Sequence, residues 1–264
     1  MSKTSRAVAA RYGNVARSYR RFWAPAMIAL SRPLIRAMPV EVEDRIADLG
    51  AGVGAIGARL AARARTVIGL DVTERMLRHA PREVLSVAGD MEHLPFADET
   101  LDGAFSTFVL QHISGTGAAF KEVARVLRAG GFFATATWGT DHAEVGGAYE
   151  VLTELFARHR IPAGDPPLKM WHSRVDEPSK LTRHARTVGL VIENAWLARS
   201  TYQWTARGFI GWATTMGPYG RRLAAVPDQV RARVIADLKN DIAPLSRDEL
   251  RWTPECVYAI SIKE

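Results

Sequence analysis

Short apolar runs alternate with helical patterns between residues 45 and 138 of the chain. Ile56 and Leu60, for example, lie four positions apart, as one face of a helix requires. Strands are predicted where the apolar runs fall, at 45–49, 66–70, 84–88, 101–109 and 132–138. Helices are predicted between them, and the last one carries Phe120, Val123 and Leu127 on one face and ends at Gly130 and Gly131. This alternation predicts right-handed crossovers and a mostly parallel sheet with helices on both faces.

The pattern changes after Trp138, where residues 139–177 are rich in Gly, Pro and His. Helices are predicted at 149–158, 179–188, 206–216 and 228–239, and strands at 191–202 and 256–262. These elements complete a seven-stranded α/β sheet with a helical insertion, at about residues 205–245, before the last strand. A chain of 264 residues is long enough for one such domain.

Composition narrows the class of protein. Apolar residues make up 47% of the chain and charged residues 24%, which is typical of a folded, soluble domain. The single cysteine, Cys256, excludes an intramolecular disulfide and a cysteine-cluster metal site, so we expect a cytoplasmic protein without a metal. The apolar stretch 22–30 is too short for a membrane span, which needs roughly 20 residues. Its basic flank leaves a cleaved targeting peptide as an alternative.

The net charge of +7 comes from an N-terminal arm. Residues 1–40 contain eight basic and no acidic residues, whereas the remainder, with 27 basic and 28 acidic residues, is close to neutral. A nucleic-acid-binding domain would carry basic residues across one face of its fold, so we expect no nucleic-acid partner.

The sharpest local pattern is the run Asp48-Leu-Gly50-Ala-Gly52-Val-Gly54-Ala-Ile-Gly57, at a predicted strand-to-helix turn. Glycines at such a turn let the backbone approach a ligand, and the helix N-terminus offers free N–H donors. Three of these glycines also fit the dinucleotide pattern G-x-G-x-x-G, so NAD stays an alternative.

Three carboxylates refine this prediction. Asp71 ends the second strand, 19 residues past Gly52, where it can accept hydrogen bonds from two ribose hydroxyls. Asp90 follows the third strand and can accept from an adenine amino group. Asp48 precedes the glycines, where it suits an ammonium group and would repel a pyrophosphate. Together they favour a nucleoside that carries a positive charge over NAD.

Four motifs carry a family resemblance: the glycine run from Asp48, Gly69-Leu-Asp71-Val-Thr-Glu-Arg-Met76-Leu, Gly89-Asp90-Met-Glu-His-Leu-Pro-Phe96, and Arg125-Val-Leu-Arg-Ala-Gly-Gly131. With them, most of residues 8–138 resembles the class I S-adenosylmethionine-dependent methyltransferases, in particular the small-molecule family called methyltransferase type 11. The resemblance implies a Rossmann-like sheet, S-adenosylmethionine as cofactor and S-adenosylhomocysteine as product.

The resemblance also implies roles for matched positions. Gly50 and Gly52 would lie close to the methionine portion of the cofactor. Asp48 would help to fix the ammonium end of that portion. The remaining cofactor contacts would be Asp71 on the ribose, Val72 and Met76 beside the adenine, Asp90 and Met91 at the adenine edge, and Phe108 after the fourth strand. For Val72 and Met76, ordinary core packing stays an alternative.

The N-terminal arm places Tyr12 and Tyr19 seven residues apart, on one helix face. The resemblance implies that this helix closes over the cofactor and that Tyr19 approaches the methionine carboxylate. The expected division is then a lid at 1–40, a cofactor-binding core at 41–138 and a substrate-side half at 139–264. A solvated basic helix docked by its aromatic residues is the alternative. The arm's charge also suits an anionic substrate or an acidic carrier.

His112, just past the fourth strand, is the candidate catalytic residue. General base, substrate or cofactor contact, and structural hydrogen bonding all stay open for it. The segment Thr107-Phe108-Val109-Leu110 lacks the Asn/Asp-Pro-Pro-Tyr tetrad typical of enzymes that methylate nucleobase or glutamine amino groups. The other histidines, His142, His159 and His184 among them, show no ligand spacing and are assigned no chemistry.

The expected acceptor is therefore a small organic molecule, flat and polycyclic or isoprenoid. The inserted segment is predicted to form the wall of the acceptor pocket, with the residues Trp204, Phe209, Trp212 and Met216. Core packing is the alternative for each of them. The predicted reaction is O-, N- or C-methylation. The competing hypotheses are a methyltransferase-fold protein that catalyses a cyclisation, an NAD-dependent oxidoreductase and a non-enzymatic interaction protein. No oligomeric state is predicted.

Overall fold

A seven-stranded sheet forms the centre of the computed structural model, which describes residues 2–141, 146–164 and 170–264. The strands along the chain are β1 (Arg45–Leu49), β2 (Thr66–Asp71), β3 (Val84–Ala88), β4 (Leu101–Thr107), β5 (Leu127–Trp138), β6 (Leu190–Arg199), β7 (Tyr202–Gln203), β8 (Arg251–Trp252) and β9 (Glu255–Lys263). The order in the large sheet is β3-β2-β1-β4-β5-β9-β6, while β7 and β8 form a separate pair. Strands β1 to β5 pair in parallel, and β9 runs antiparallel to both of its neighbours. The predicted seven-stranded, mostly parallel α/β architecture is confirmed.

The helices cover both faces of this sheet. Their bounds are α1 (Lys3–Gly13), α2 (Ala16–Ser18), α3 (Ala24–Ala37), α4 (Gly57–Leu60), α5 (Glu74–Leu77), α6 (Thr116–Val126), α7 (Gly146–Arg158), α8 (Pro178–Arg186), α9 (Ala206–Thr215), α10 (Gly217–Ala224) and α11 (Asp228–Ile242). A π-helical turn, Tyr19–Trp23, joins α2 to α3. Helices α9 to α11 form the insertion between β7 and β8, before the last strand, β9. In the described part of the chain, no helix has the length and apolar character to cross a membrane.

Two apolar clusters, one on each face, hold the sheet and the helices together. Successive residues of one strand belong to different clusters, as Ile46 and Ala47 do in β1 and Phe132 and Phe133 do in β5. This alternation follows from the pleat, which points neighbouring side chains to opposite faces. The first cluster also receives α3, α4, α7 and the inserted helices, and the second receives α6 and α8.

Two local predictions differ from the structure. Helix α6 ends at Val126, because Leu127 takes an extended conformation and pairs with Leu101 in the sheet, so the predicted helix end at Gly130 lies within β5 instead. Helix α10 was not predicted, because Gly217 and Pro218 in its first turn suggest a break. Pro218 suits the first turn of a helix, where Pro loses no hydrogen bond, and Gly217 precedes it with a left-handed φ of +60°.

Candidate functional site

A cavity of about 220 Å³ opens at the carboxyl ends of the central strands, under the N-terminal helices. Ligands of open α/β sheets bind at this edge, because the strand order reverses there and the loops leave a crevice. The cavity walls come from the glycine loop after β1, the ends of β2, β3, β4 and β5, and α1 with the π-helical turn.

The glycine loop reaches the cavity through backbone that only glycine adopts readily. Gly50 has φ +83° and Gly52 has φ +57°, both in the left-handed region. A Cβ on Gly50 would lie 2.4 Å from Cγ2 of Val109, so there is no room for a side chain. The N–H of Gly52 donates to Oδ2 of Asp71 at 2.8 Å, and this bond fixes the loop against the end of β2.

Asp71 is held rigidly at the cavity wall. Its Oδ1 accepts from the backbone N–H of Thr73 at 2.8 Å. Burial raises the pKa of Asp71, and the hydrogen bonds from Gly52 and from the backbone and side chain of Thr73 oppose this rise. An oriented carboxylate at the cavity wall is suited to accept hydrogen bonds from the hydroxyls of a sugar.

Asp90 lines the same cavity, just after the end of β3. Its Oδ1 accepts from the N–H of Glu92 at 3.1 Å, and its Oδ2 accepts from the Ser5 hydroxyl at 2.8 Å. The side chains of Met76 and Met91 line the same cavity. A carboxylate and two methionines in one cavity suit a flat ring with a polar edge, such as a nucleobase.

Asp48 is close to the site but outside the cavity wall. Its side chain is buried behind the glycine loop, and Oδ2 accepts from the N–H of Gly57 at 3.1 Å. Burial raises the pKa of Asp48 to about 7, and the charge of Asp71 raises it further, against the Gly57 hydrogen bond. Two buried carboxyl groups therefore stand at one end of the cavity.

The N-terminal helices cover the cavity and contact its far side. The hydroxyl of Tyr12 lies 3.2 Å from Nε2 of His112, and the two rings meet edge to face with centroids 5.6 Å apart. Tyr19 packs edge to face on Tyr12 at 6.0 Å, and both tyrosines line the cavity. Together with the Ser5 bond to Asp90, these contacts tie α1 to two strand ends.

Burial makes His112 neutral at physiological pH. Its pKa is lowered to about 4, mainly by burial and further by the positive charges of His172 and Arg11. Nδ1 is sealed from solvent and has no hydrogen-bond partner among the described residues, while Nε2 faces Tyr12. In this closed arrangement neither ring nitrogen is open to a substrate.

Residues 47–135 match the family model described as "Methyltransferase domain". This segment is therefore similar to a methyltransferase domain. Over 139 residues, the chain is 36% identical to malonyl-[acyl-carrier protein] O-methyltransferase of Erwinia pyrifoliae, a match that covers 51% of this chain and 53% of the relative. Over 91 residues it is 42% identical to demethylmenaquinone methyltransferase of Corynebacterium kroppenstedtii, covering 33% and 39%. The chain thus spans about half or less of the length of these two relatives.

A likeness in structure extends beyond the segment that the family model matches. The crystal structure of the [4+2]-cyclase SpnF superimposes with a TM-score of 0.63, at 19% sequence identity, over 99% of this chain and 97% of that one. At this identity the likeness concerns the fold alone. It confirms the Rossmann-like methyltransferase sheet that the sequence motifs predict.

The cavity brings together most of the residues predicted to bind the methyltransferase cofactor. Its lining includes Tyr19, Gly50, Gly52, Asp71, Val72, Met76, Asp90, Met91, Phe108 and His112. Asp48 is the exception, because it lies behind the loop rather than in the wall. Phe108 has φ +58°, rare for a bulky residue, and this turn ends β4 at Thr107, earlier than predicted.

The predicted acceptor wall lies elsewhere. Trp204, Phe209, Trp212 and Met216 are buried in the first apolar cluster, and none of them lines the cavity. The physical reason is that their rings pack on one another and on Trp23, whose ring centroid lies 5.6 Å from that of Trp212. They support the cavity wall from behind.

The apolar part of the wall includes several residues that were not predicted, among them Trp23, Met27, Trp138 and Met170. Trp138 packs on Phe108 with ring centroids 4.3 Å apart, next to the strained turn. Gln111, also unpredicted, braces that turn, since its Nε2 donates to the carbonyl of Phe108 at 2.6 Å. The sequence offered one signal for Trp138 as a wall residue. It lies at the carboxyl end of β5, and ligands bind at that edge of such a sheet.

The raised pKa of Asp48 predicts a pH-dependent stability. The folded state keeps a proton on Asp48 up to about pH 7, whereas the unfolded chain loses it near 3.8, so the folded state binds more protons between these values. The free energy of unfolding of the unliganded protein should therefore fall as the pH rises through that window. In Asp48→Asn the decline should be shallower, as measured by urea unfolding at a series of pH values. An unchanged slope would contradict the assignment.

The Tyr12 hydroxyl is predicted to hold the arm closed. Tyr12→Phe keeps the ring but removes the bond to His112, and one such bond contributes about 0.5–1.5 kcal/mol. We expect the Kd for S-adenosylhomocysteine to rise about two- to tenfold in calorimetric titrations. In His112→Ala, the further change Tyr12→Phe should have little effect. Additive effects of the two substitutions would mean that the pair does not act as one contact.

Proposed function

We propose that this protein is an S-adenosylmethionine-dependent methyltransferase that acts on a small organic acceptor. The observation that carries the proposal is the convergence of Asp71, Asp90 and the glycine loop on one cavity under the N-terminal arm. The named relatives are methyltransferases, which supports methyl transfer as the reaction class.

The donor groups of the cavity fit the cofactor part by part. Asp71, held at the end of β2, would accept from the ribose hydroxyls. Asp90 would accept from the adenine amino group, while Val72 and Met76 flank the ring. The missing side chain of Gly52 would leave room for the methionine portion, near Tyr19.

Electrostatics favours a positively charged ligand at this end. Burial works against two ionised carboxylates, Asp48 and Asp71, and no cation among the described residues pairs with either. A ligand with an ammonium and a sulfonium group would supply the missing charge. When bound, S-adenosylmethionine provides a methyl group that is already activated on sulfur.

The acceptor would lie against the apolar wall. Trp23, Met27, Phe108 and Trp138 would exclude water and set the direction of approach, which is most of what a reaction with an activated methyl group requires. His112, neutral and engaged by Tyr12, would act as a contact that positions the arm rather than as a general base. Residues 1–40 would be the lid, 41–138 the cofactor-binding core and 139–264 the substrate-side half.

The proposal is tested by incubating the protein with methyl-labelled S-adenosylmethionine and a metabolite extract. We expect one compound to gain the mass of a single methyl group while an equal amount of S-adenosylhomocysteine forms. Asp71→Ala serves as the matched control and should abolish both signals. A product of unchanged mass, or one formed without S-adenosylhomocysteine, would favour the cyclisation alternative instead.

A further inference from the structure

Three aromatic side chains of the cavity lining form one continuous surface. We call Trp23, Phe108 and Trp138 the aromatic wall. The ring centroids of Phe108 and Trp138 lie 4.3 Å apart. Trp252, which is not part of the cavity lining, supports the wall from behind, because its centroid lies 5.4 Å from that of Trp23 and 5.6 Å from that of Trp138. Large, electron-rich rings thus border the open space of the cavity.

The aromatic wall begins beside the glycine loop. Phe108 is followed by Val109, whose side chain is so close to Gly50 that a Cβ on this glycine would lie 2.4 Å from it. Two further rings of the lining, those of Tyr12 and Tyr19, come from the arm and have centroids 6.0 Å apart. A group held against the wall would therefore lie near the loop at which the methionine portion of the cofactor is proposed to bind.

The charges and the rings of the lining favour the same sign of ligand. Among the described residues that line the cavity, the charged side chains are the two carboxylates Asp71 and Asp90. The face of an aromatic ring carries negative charge density and attracts a cation, and tryptophan does so most strongly. Both features stabilise a positive charge in the space in front of Trp23 and Trp138.

The titratable groups of this lining are already engaged within the protein. Nε2 of His112 lies 3.2 Å from the Tyr12 hydroxyl, and both oxygens of Asp71 and of Asp90 accept hydrogen bonds. A hydroxyl acceptor has to lose a proton to a base in order to react, whereas the lone pair of a neutral amine reacts without that loss. The site therefore suits an amine better than an alcohol.

We infer that the acceptor is an amine, and that the aromatic wall binds its nitrogen and the ammonium group of the methylated product. This inference rests on the proposed function and adds the substrate class. The lone pair of the nitrogen forms the new N–C bond, while the C–S bond breaks and its electron pair stays on sulfur. The positive charge passes from sulfur to nitrogen, so the rings and carboxylates of the cavity face one such charge before and after the transfer.

The test compares three small probes that share one branched shape: choline, uncharged 3,3-dimethyl-1-butanol and anionic 3,3-dimethylbutanoate. Each is titrated calorimetrically into the full chain saturated with S-adenosylhomocysteine, so that the cation takes the place of the methylated product. We expect choline to bind about five- to thirtyfold tighter than the alcohol, which is the range for a cation on buried aromatic faces. The anion should bind no better than the alcohol.

Matched variants assign this preference to the aromatic wall. Trp23→Leu and Trp138→Leu should each reduce the preference for choline over the alcohol, and together they should abolish it. Trp23→Phe and Trp138→Phe keep a weaker ring face, so each should retain part of the preference, and they serve where a leucine variant fails to fold. Trp196→Leu is the control, since Trp196 stacks on Tyr258 outside the cavity, and it should leave the preference intact. Thermal melting checks that the variants are folded.

The outcomes separate this inference from the proposed function. Equal binding of choline and the alcohol, no binding of choline, tighter binding of the anion, or a preference that survives both tryptophan substitutions would overturn the amine assignment. In each of those cases, intact binding of S-adenosylhomocysteine leaves the proposed function standing. Failure of the wild-type protein to bind S-adenosylhomocysteine would refute the proposed function itself.

Discussion

Replacing Asp71 with alanine should weaken the binding of S-adenosylhomocysteine by at least tenfold. The carboxylate would accept hydrogen bonds from the ribose, and a single bond to a charged acceptor contributes about 1.5–3 kcal/mol, or roughly 10- to 150-fold in Kd. The substitution also removes the acceptors for the N–H groups of Gly52 and Thr73, so the glycine loop loses its anchor. Calorimetric titration measures the change.

A neighbouring acid provides the control for Asp71→Ala. Glu74 lies at the same strand end, in the first turn of α5, but its side chain is exposed and outside the cavity. Glu74→Ala should therefore leave the Kd unchanged. Equal losses in both variants, or none in Asp71→Ala, would show that the ribose is not bound at the end of β2.

Substituting Gly50 with alanine should abolish cofactor binding and destabilise the fold. The left-handed backbone at φ +83° costs a residue with a Cβ about 1–2 kcal/mol. The added methyl would also overlap Val109 at 2.4 Å, so the loop or the turn after β4 must shift. We expect the midpoint of urea unfolding to drop and S-adenosylhomocysteine binding to fall below detection.

Gly117 and Val109 supply the comparisons for this variant. Gly117 lies in α6 with nothing within 4 Å of a new Cβ, so Gly117→Ala should be neutral or stabilise the protein by about 0.5–1 kcal/mol. Adding Val109→Ala to Gly50→Ala should recover part of the stability, because it removes the overlapping methyl groups. A Gly50→Ala protein that binds the cofactor normally would rule out close approach of the ligand at this loop.

The part of the cavity that is predicted to bind the cofactor was readable from the sequence because each element there is local. A buried strand, a glycine turn and an acid at the next strand end are adjacent in the chain, and parallel strands bring their carboxyl ends to one edge. This placed Asp71, Asp90 and Gly52 in one wall without further information. Asp48 shows the limit of such reasoning: one residue before the turn, the pleat buries it behind the loop.

The acceptor side depends on contacts between distant segments. Tyr12 and His112 are 100 residues apart, Ser5 and Asp90 are 85 apart, and no periodicity links them. A tryptophan is as typical of a pocket wall as of a core, so the sequence left both open for the tryptophans of the insertion. In the structure they pack in the core, as Trp212 does against Trp23. Trp23 was not predicted as a wall residue, because the charge and the tyrosines of its arm were the features that the sequence made prominent.

A calorimetric titration of the purified protein with S-adenosylhomocysteine, and in parallel with NAD⁺, tests the central claim most directly. We predict that one molecule of S-adenosylhomocysteine binds per chain, that Asp71→Ala largely removes this binding, and that NAD⁺ gives no heat above dilution. Saturable binding of NAD⁺ in place of S-adenosylhomocysteine, or no binding of either, would contradict the assignment of the cavity.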